Sequence, residues 1–129
     1  MRRRRALPSL ALAALGSAAF AGCGDTIDVA RSDPAAVQRG AQLFADRCSG
    51  CHTLDAAGAR GSKPLREPTQ PGERTNGPNF DQRSETVDTV LYAIRNGGYS
   101  GAIMPANIVV GRDADAVAVF VAKYAGRDK

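Results

Sequence analysis

Apolar residues recur along this chain in three short helical stripes separated by polar stretches. Val37, Ala41 and Phe44 stand at i, i+4 and i+7, a spacing that places side chains on one face of an α-helix. Asp33 suits the cap before such a helix and Pro34 its first position. The pattern predicts a helix from there to about Arg47. Val87, Val90, Leu91 and Ile94 predict a second helix over about 85–96, capped by Ser84 and stopped at Asn96-Gly97-Gly98, because glycine readily takes the left-handed backbone that ends helices. Val117, Phe120, Val121 and Tyr124 predict a third, from near Asp113 to Gly126. Val109-Val110 is too short to count as a strand, so the expected class is all-α.

The stretches between the stripes differ in kind. Residues 24–33 are short, polar and aperiodic and read as a tether, spanning about 17 Å if flexible. Residues 53–79 are rich in Gly, Pro, Thr and charge. A loop that long is uncommon in a compact domain unless something organises it. A Gly-rich loop follows the second helix to about Val110, and no internal repeat is visible.

Ahead of the stripes lies an address. Arg2 to Arg5 form a positive cluster, residues 6–22 carry no charge, and small residues lead to Cys23 in Phe20-Ala21-Gly22-Cys23. This is the layout of an export signal, and Pro8 and Gly16 interrupt an apolar run already short for a membrane-spanning helix. The run resembles a bacterial lipobox, which implies cleavage before Cys23 and lipidation of its sulfur. Ordinary cleavage after Ala21, following Ala19-Phe20-Ala21, and an uncleaved anchor are the competing readings. The expected organisation is a signal over 1–22, a tether over 23–33 and one folded domain over 34–127. The mature protein is then exported and lipid-anchored, at the outer face of the cytoplasmic membrane or in the periplasm.

Composition sharpens this picture. The chain has 129 residues, no Trp and few aromatics. A domain of this size buries too little surface for a comfortable core, so a large apolar cofactor would supply what is missing. The formal charge of +4 comes from the N-terminal cluster, since setting those four arginines aside leaves 13 basic residues against 13 acidic ones. Nothing in that balance argues for nucleic acid. Three cysteines exclude a disulfide scaffold.

Two of those cysteines carry the chemistry. Cys48-Ser49-Gly50-Cys51-His52 is a haem c attachment motif. Cysteines three apart lie about one turn apart on one side of a helical coil, within reach of the two vinyl groups of a porphyrin. His52 then falls beneath the iron as an axial ligand. A thioredoxin-like pair lacks its βαβ context here. A zinc site from Cys23, Cys48, Cys51 and His52 suffers from adjacent Cys51 and His52. A plain disulfide leaves the His and the export signal unexplained. His52 is the only histidine, and Met104 the only methionine beyond Met1. Met104 stands in a Gly-rich loop before Pro105, which would stiffen its presentation to iron. Elimination makes Met104 the sixth ligand, completing the His/Met pairing known for c-type haems.

These residues bring a family into view. From about Asp33 to Gly126 the chain resembles the class I cytochromes c, especially small bacterial ones. The resemblance implies three to five helices wrapped around one covalent haem. It implies that Gly40 lets the first and last helices cross closely, with Phe44 and Phe120 at the crossing. It further implies that Gly77-Pro78-Asn79-Phe80 supplies the Pro78 carbonyl to the second ring nitrogen of His52, and that Val90 and Ile94 lie against the macrocycle. The stretch between His52 and Pro78 is longer than in the shortest members, and residues 58–75 read as an inserted surface loop.

With both axial positions filled by protein, the expected activity is single-electron transfer and not catalysis. Asp113 and Asp115 begin a helix, where their charge suits the dipole, and no other residue set reads as catalytic. The expected partners are redox proteins such as a quinol-oxidising complex and a terminal oxidase, with the membrane reached through the lipid anchor, no nucleic acid, and the protein itself a monomer. A dedicated haem subunit of an oxidase or dehydrogenase, and a haem-based gas sensor, are the alternatives.

Overall fold

The structure is a computed structural model that describes residues 26–61, 77–99 and 103–127. Three helices form its frame: α1 over Ala35–Arg47, α2 over Val87–Asn96 and α3 over Arg112–Tyr124. The all-α expectation holds. Two residue pairs depart from it. β1 (Thr53–Leu54) and β2 (Ala59–Arg60) pair antiparallel around a single 3-10 turn at Asp55–Ala57, with Gly58 closing the turn at φ 60°. Two-residue strands have no alternating pattern to detect, and Leu54, Ala57 and Ala59 bury their side chains without one. Among the described residues no helix is long and apolar enough to cross a membrane.

The predicted stripes face the core, fully buried except for Val87 and Leu91, which are half-buried against it. Val37, Ala41 and Phe44 are buried on α1, Val90 and Ile94 on α2, and Val117, Phe120, Val121 and Tyr124 on α3. α1 and α3 cross at Gly40. A methyl group there would sit 2.1 Å from the Ala116 carbonyl oxygen and 2.7 Å from the Phe120 Cβ, so only glycine permits the approach. Phe44 and Phe120 meet edge to face beside it, 5.8 Å between ring centres.

Two helix caps differ from expectation. α2 is capped by Thr86 and not by Ser84. The Thr86 hydroxyl accepts from the Thr89 amide (3.2 Å), while Thr89 Oγ1 accepts from the Thr86 amide (3.0 Å), a reciprocal capping box. Ser84 instead lies against Gly126, where an added Cβ would come within 2.4 Å of its Oγ. At α1 the carbonyl of Pro34 takes the first amides, those of Val37 (2.8 Å) and Gln38 (3.2 Å). Asp33 caps nothing. Its buried carboxylate accepts from Lys123 Nζ and from the Tyr124 hydroxyl at the end of α3.

The same contacts correct the tether. Residues 1–25 lie outside the described residues, but residues 27–33 are packed on the domain. Ile27 and Val29 lean on the core. The Asp28 amide donates to the Ala56 carbonyl (3.0 Å), and the Ala30 amide to the Tyr124 hydroxyl (3.0 Å). Gln38 Nε2 reaches back to the Asp33 carbonyl (2.8 Å). Two apolar side chains and a half-buried ion pair are enough to dock a segment that reads as polar.

Two expectations follow. Gly40→Ala forces α1 and α3 apart and should cost about 1–3 kcal/mol, the usual range for overpacking, read as a lowered denaturant midpoint. The Asp33 carboxyl is held below the usual carboxylate range, first by the hydrogen bond from Lys123 and then by that from Tyr124. Its contribution to stability is therefore fully present above the unfolded value of about 3.9 and is lost as pH falls through the lower folded value. Asp33→Asn should lower the melting temperature at neutral pH, and the gap to the parent protein should close in acid.

Candidate functional site

The Cys48–His52 motif continues α1 as a turn. The amides of Cys51 (3.1 Å) and His52 (2.9 Å) both donate to the Cys48 carbonyl, so both cysteines lie on one coil, as their spacing predicts. Neither is in a disulfide. Cys48 is half-buried against the core and Cys51 is exposed. Burial, aided by the Cys51 charge, pushes the Cys48 thiol up to about 11. A methyl group at Gly50 would meet no protein atom within 4 Å, so no internal contact requires glycine there.

His52 is fixed by the segment that begins at Gly77. The Gly77 amide donates to the Cys51 carbonyl (3.0 Å) and the Phe80 amide to the Thr53 carbonyl (2.8 Å), with a parallel bridge between Thr53 and Asn79. These bonds flank His52 on both sides and bring the Pro78 carbonyl to 3.2 Å from its Nδ1. Phe80 stacks on the imidazole, ring centres 4.9 Å apart and planes 12° from parallel. Gly77 lies so close that a Cβ would fall 2.4 Å from His52 Cε1. Asn79 Oδ1 accepts from the Asp81 amide (2.9 Å), and buried Asp81 accepts from the Asp55 amide (2.9 Å), pinning the segment to the small hairpin. Burial holds the His52 ring below its usual value, with the Pro78 carbonyl opposing. The ring is neutral at physiological pH, with Nδ1 as donor and Nε2 left as a free lone pair for a metal.

Val90 and Ile94 belong to one buried apolar cluster, and Cys48, Phe80 and Met104 pack against it. His52 joins through Phe44 (6.3 Å) and Phe80. Met104 is half-buried, and its loop is held by Gly97, the predicted stop of α2, and by Asn107, which the sequence reading did not single out. Gly97 ends α2 at φ 72°, and a Cβ there would lie 2.8 Å from the Met104 carbonyl oxygen. The Asn107 amide donates to the Ile94 carbonyl (2.7 Å), with Asn107 itself at φ 57°. Single left-handed asparagines are a known turn habit, so Asn107 had a weak signal. The stacking of Phe80 on His52 had none beyond its place after Gly77-Pro78. Cys23 and most of the 58–75 loop lie outside the described residues.

The donors fit a covalently held haem. Two unpaired thiols share one turn, an adjacent neutral imidazole has one nitrogen committed and one available, and a thioether rests on the same apolar cluster. Among the described residues no three His, Cys, Asp or Glu side chains group to hold a metal ion by themselves.

Known proteins agree with this chemistry. A family model described as cytochrome c matches residues 37–124. Among solved structures, the c-type cytochrome SorU from Sinorhizobium meliloti is 30% identical, the match covering 70% of this chain and 92% of that one, with a TM-score of 0.53. No curated protein matches.

Gly77→Ala should push the imidazole off the Pro78 carbonyl. We expect the hydrogen-bonded ring proton of His52 to vanish from the NMR spectrum, with a loss of about 1–3 kcal/mol in stability from the clash.

Proposed function

The chain belongs to the cytochrome c family, and on that premise we propose that it carries single electrons between membrane-associated redox complexes. The family and the SorU likeness establish the class I, all-α fold, haem c bound through Cys48 and Cys51, and electron transfer in general. The finer reading concerns which residues hold the iron and where the protein works. When bound, haem c supplies an iron that takes up and releases one electron.

The observation that carries the reading is the pinned His52. Its Nδ1 donates to Pro78 and its face rests on Phe80, so Nε2 would be offered to a bound iron in one orientation, as a basic ligand. Met104 is the other ligand in this reading, since no second histidine exists. With haem bound, its thioether would favour the ferrous state, and the apolar cluster around Val90 and Ile94 would disfavour the extra ferric charge. Pro105, the close approach at Gly97 and the Asn107 bond restrain the Met104 loop, which keeps reorganisation between oxidation states small. Two protein ligands leave no coordination position for a reactant. That favours electron carriage by an export-directed protein whose Cys23 takes a lipid, with a quinol-oxidising complex as donor and a terminal oxidase as acceptor. Val90, Ile94 and Pro78 serve the haem as contacts, and Cys48, Cys51, His52 and Met104 hold it.

The test is expression with a c-haem maturation system, followed by intact mass and spectrum. We expect haem mass that survives acid-acetone, a diacylglycerol on Cys23, and a weak far-red band in the ferric protein. Met104→Ala should keep the haem, lose that band and lower the midpoint potential by on the order of 0.1 V, a part of the roughly 0.8 V that axial ligands command. His52→Ala should scarcely mature. A retained far-red band in Met104→Ala removes Met104 as ligand.

A further inference from the structure

We propose that residues 27–33 are an orienting strap, which makes the lipid-bearing N-terminus leave the domain at the end opposite the Met104 loop. The proposal rests on the lipid anchor at Cys23 and adds a fixed orientation to it.

The strap is bound where α3 finishes. Asp33 takes Lys123 and Tyr124, and Ala30 donates to Tyr124. Asp28 is bonded to Ala56 in the turn of the small hairpin. Nearby lie the Pro78 segment and the start of α2, since the Gly126 amide donates to the Phe80 carbonyl (2.8 Å) and Gly126 abuts Ser84. The other end of the domain holds Met104. Its carbonyl lies against Gly97 at the end of α2, and Asn107 is bonded to Ile94. Arg95, Asn107, Val109, Gly111, Ala114 and Asp115 line one shallow cavity, so the end of α2 and the start of α3 are neighbours. α2 and α3 therefore run antiparallel, and α3 separates the strap clamp from the Met104 end by about 18 Å along its axis.

Little chain separates Cys23 from the docked segment. Cys23 to Ile27 is four residue steps, about 14 Å when fully extended. An acylated Cys23 thus holds the hairpin end, with Asp28 and Ala56, against the lipid headgroups. The far end, with exposed Ile103 (79%) and Val110 (64%), is turned toward solution. A ten-residue flexible tether would leave the domain free to tumble, whereas Ile27, Asp28, Val29, Ala30 and Asp33 are docked.

The experiment uses the full, haem-loaded, acylated chain in a nanodisc containing a small fraction of gadolinium-chelating lipid, in the reduced state. We expect amide resonances of Asp28, Ala56 and Ala59 to broaden several-fold more than those of Val110 and Gly111. Equal broadening in a chain whose mass confirms the diacylglycerol overturns the strap. The double variant Asp33→Ala, Tyr124→Phe should level the two sets. If that variant does not fold, hydrogen exchange on the native chain decides. Asp28 and Ala30 amides should be protected at least tenfold over an unstructured peptide, and free exchange overturns the docking. A mass without diacylglycerol sinks the anchor reading instead, while exchange at Asp28 and Ala30 of that same chain still judges the strap.

Discussion

The imidazole of His52 is held by two backbone segments that must stay in register. Nδ1 meets the Pro78 carbonyl only because Gly77 bonds to Cys51 and Phe80 bonds to Thr53 on either side. A single neutral hydrogen bond contributes about 0.5–1.5 kcal/mol net, too little to hold a side chain against thermal motion in a flexible loop. Its value here is directional. The parallel pairing removes the freedom that the bond would otherwise have to overcome, and the Phe80 face removes rotation about the ring. One nitrogen is thereby committed, and the other points one way.

Phe44 carries that order into the frame. Its ring lies within 6.3 Å of His52, 6.0 Å of Phe80 and 5.8 Å of Phe120. Each such pairing is worth about 0.5–1.5 kcal/mol beyond simple burial. Gly40 one turn earlier lets α3 approach closely enough for the Phe120 contact. The helix crossing and the iron-binding nitrogen are thus joined through one side chain, so strain at the crossing reaches the site.

Much of this was legible in the sequence, for reasons that differ by element. The three helices announced themselves because each has an apolar stripe and a polar back, as with Val117, Phe120, Val121 and Tyr124. The attachment motif is local, so its turn needs no tertiary information. The Pro78 bond was reachable only through the family resemblance, because 26 residues separate it from His52 and most of them carry no periodicity. What escaped were choices made by competition. Asp33 looks like a cap, yet Lys123 and Tyr124 lie ninety positions onward and claim its carboxylate. Ser84 looks like a cap, yet Thr86 has Thr89 three residues later to complete a reciprocal pair. The hairpin at Thr53–Arg60 is too short for any pattern to show.

Two of these misreadings, Asp33 and Ser84, meet at the C-terminal end of α3. Its first turn follows the Met104 loop, its middle crosses Gly40, and its end holds Asp33 and Ala30. Just past it, Gly126 bonds to Phe80 beside the Pro78 turn. Every element that positions a candidate iron ligand therefore touches the last helix or the residues flanking it. The donors themselves come from the middle of the chain, where local spacing reveals them. Further support comes from its two ends, Ala30 and Asp33 against Tyr124 and Gly126 against Phe80, where only the folded contacts reveal it. A chain with few aromatics and no Trp gains rigidity this way, by closing its N-terminal segment onto its C-terminal helix around the site.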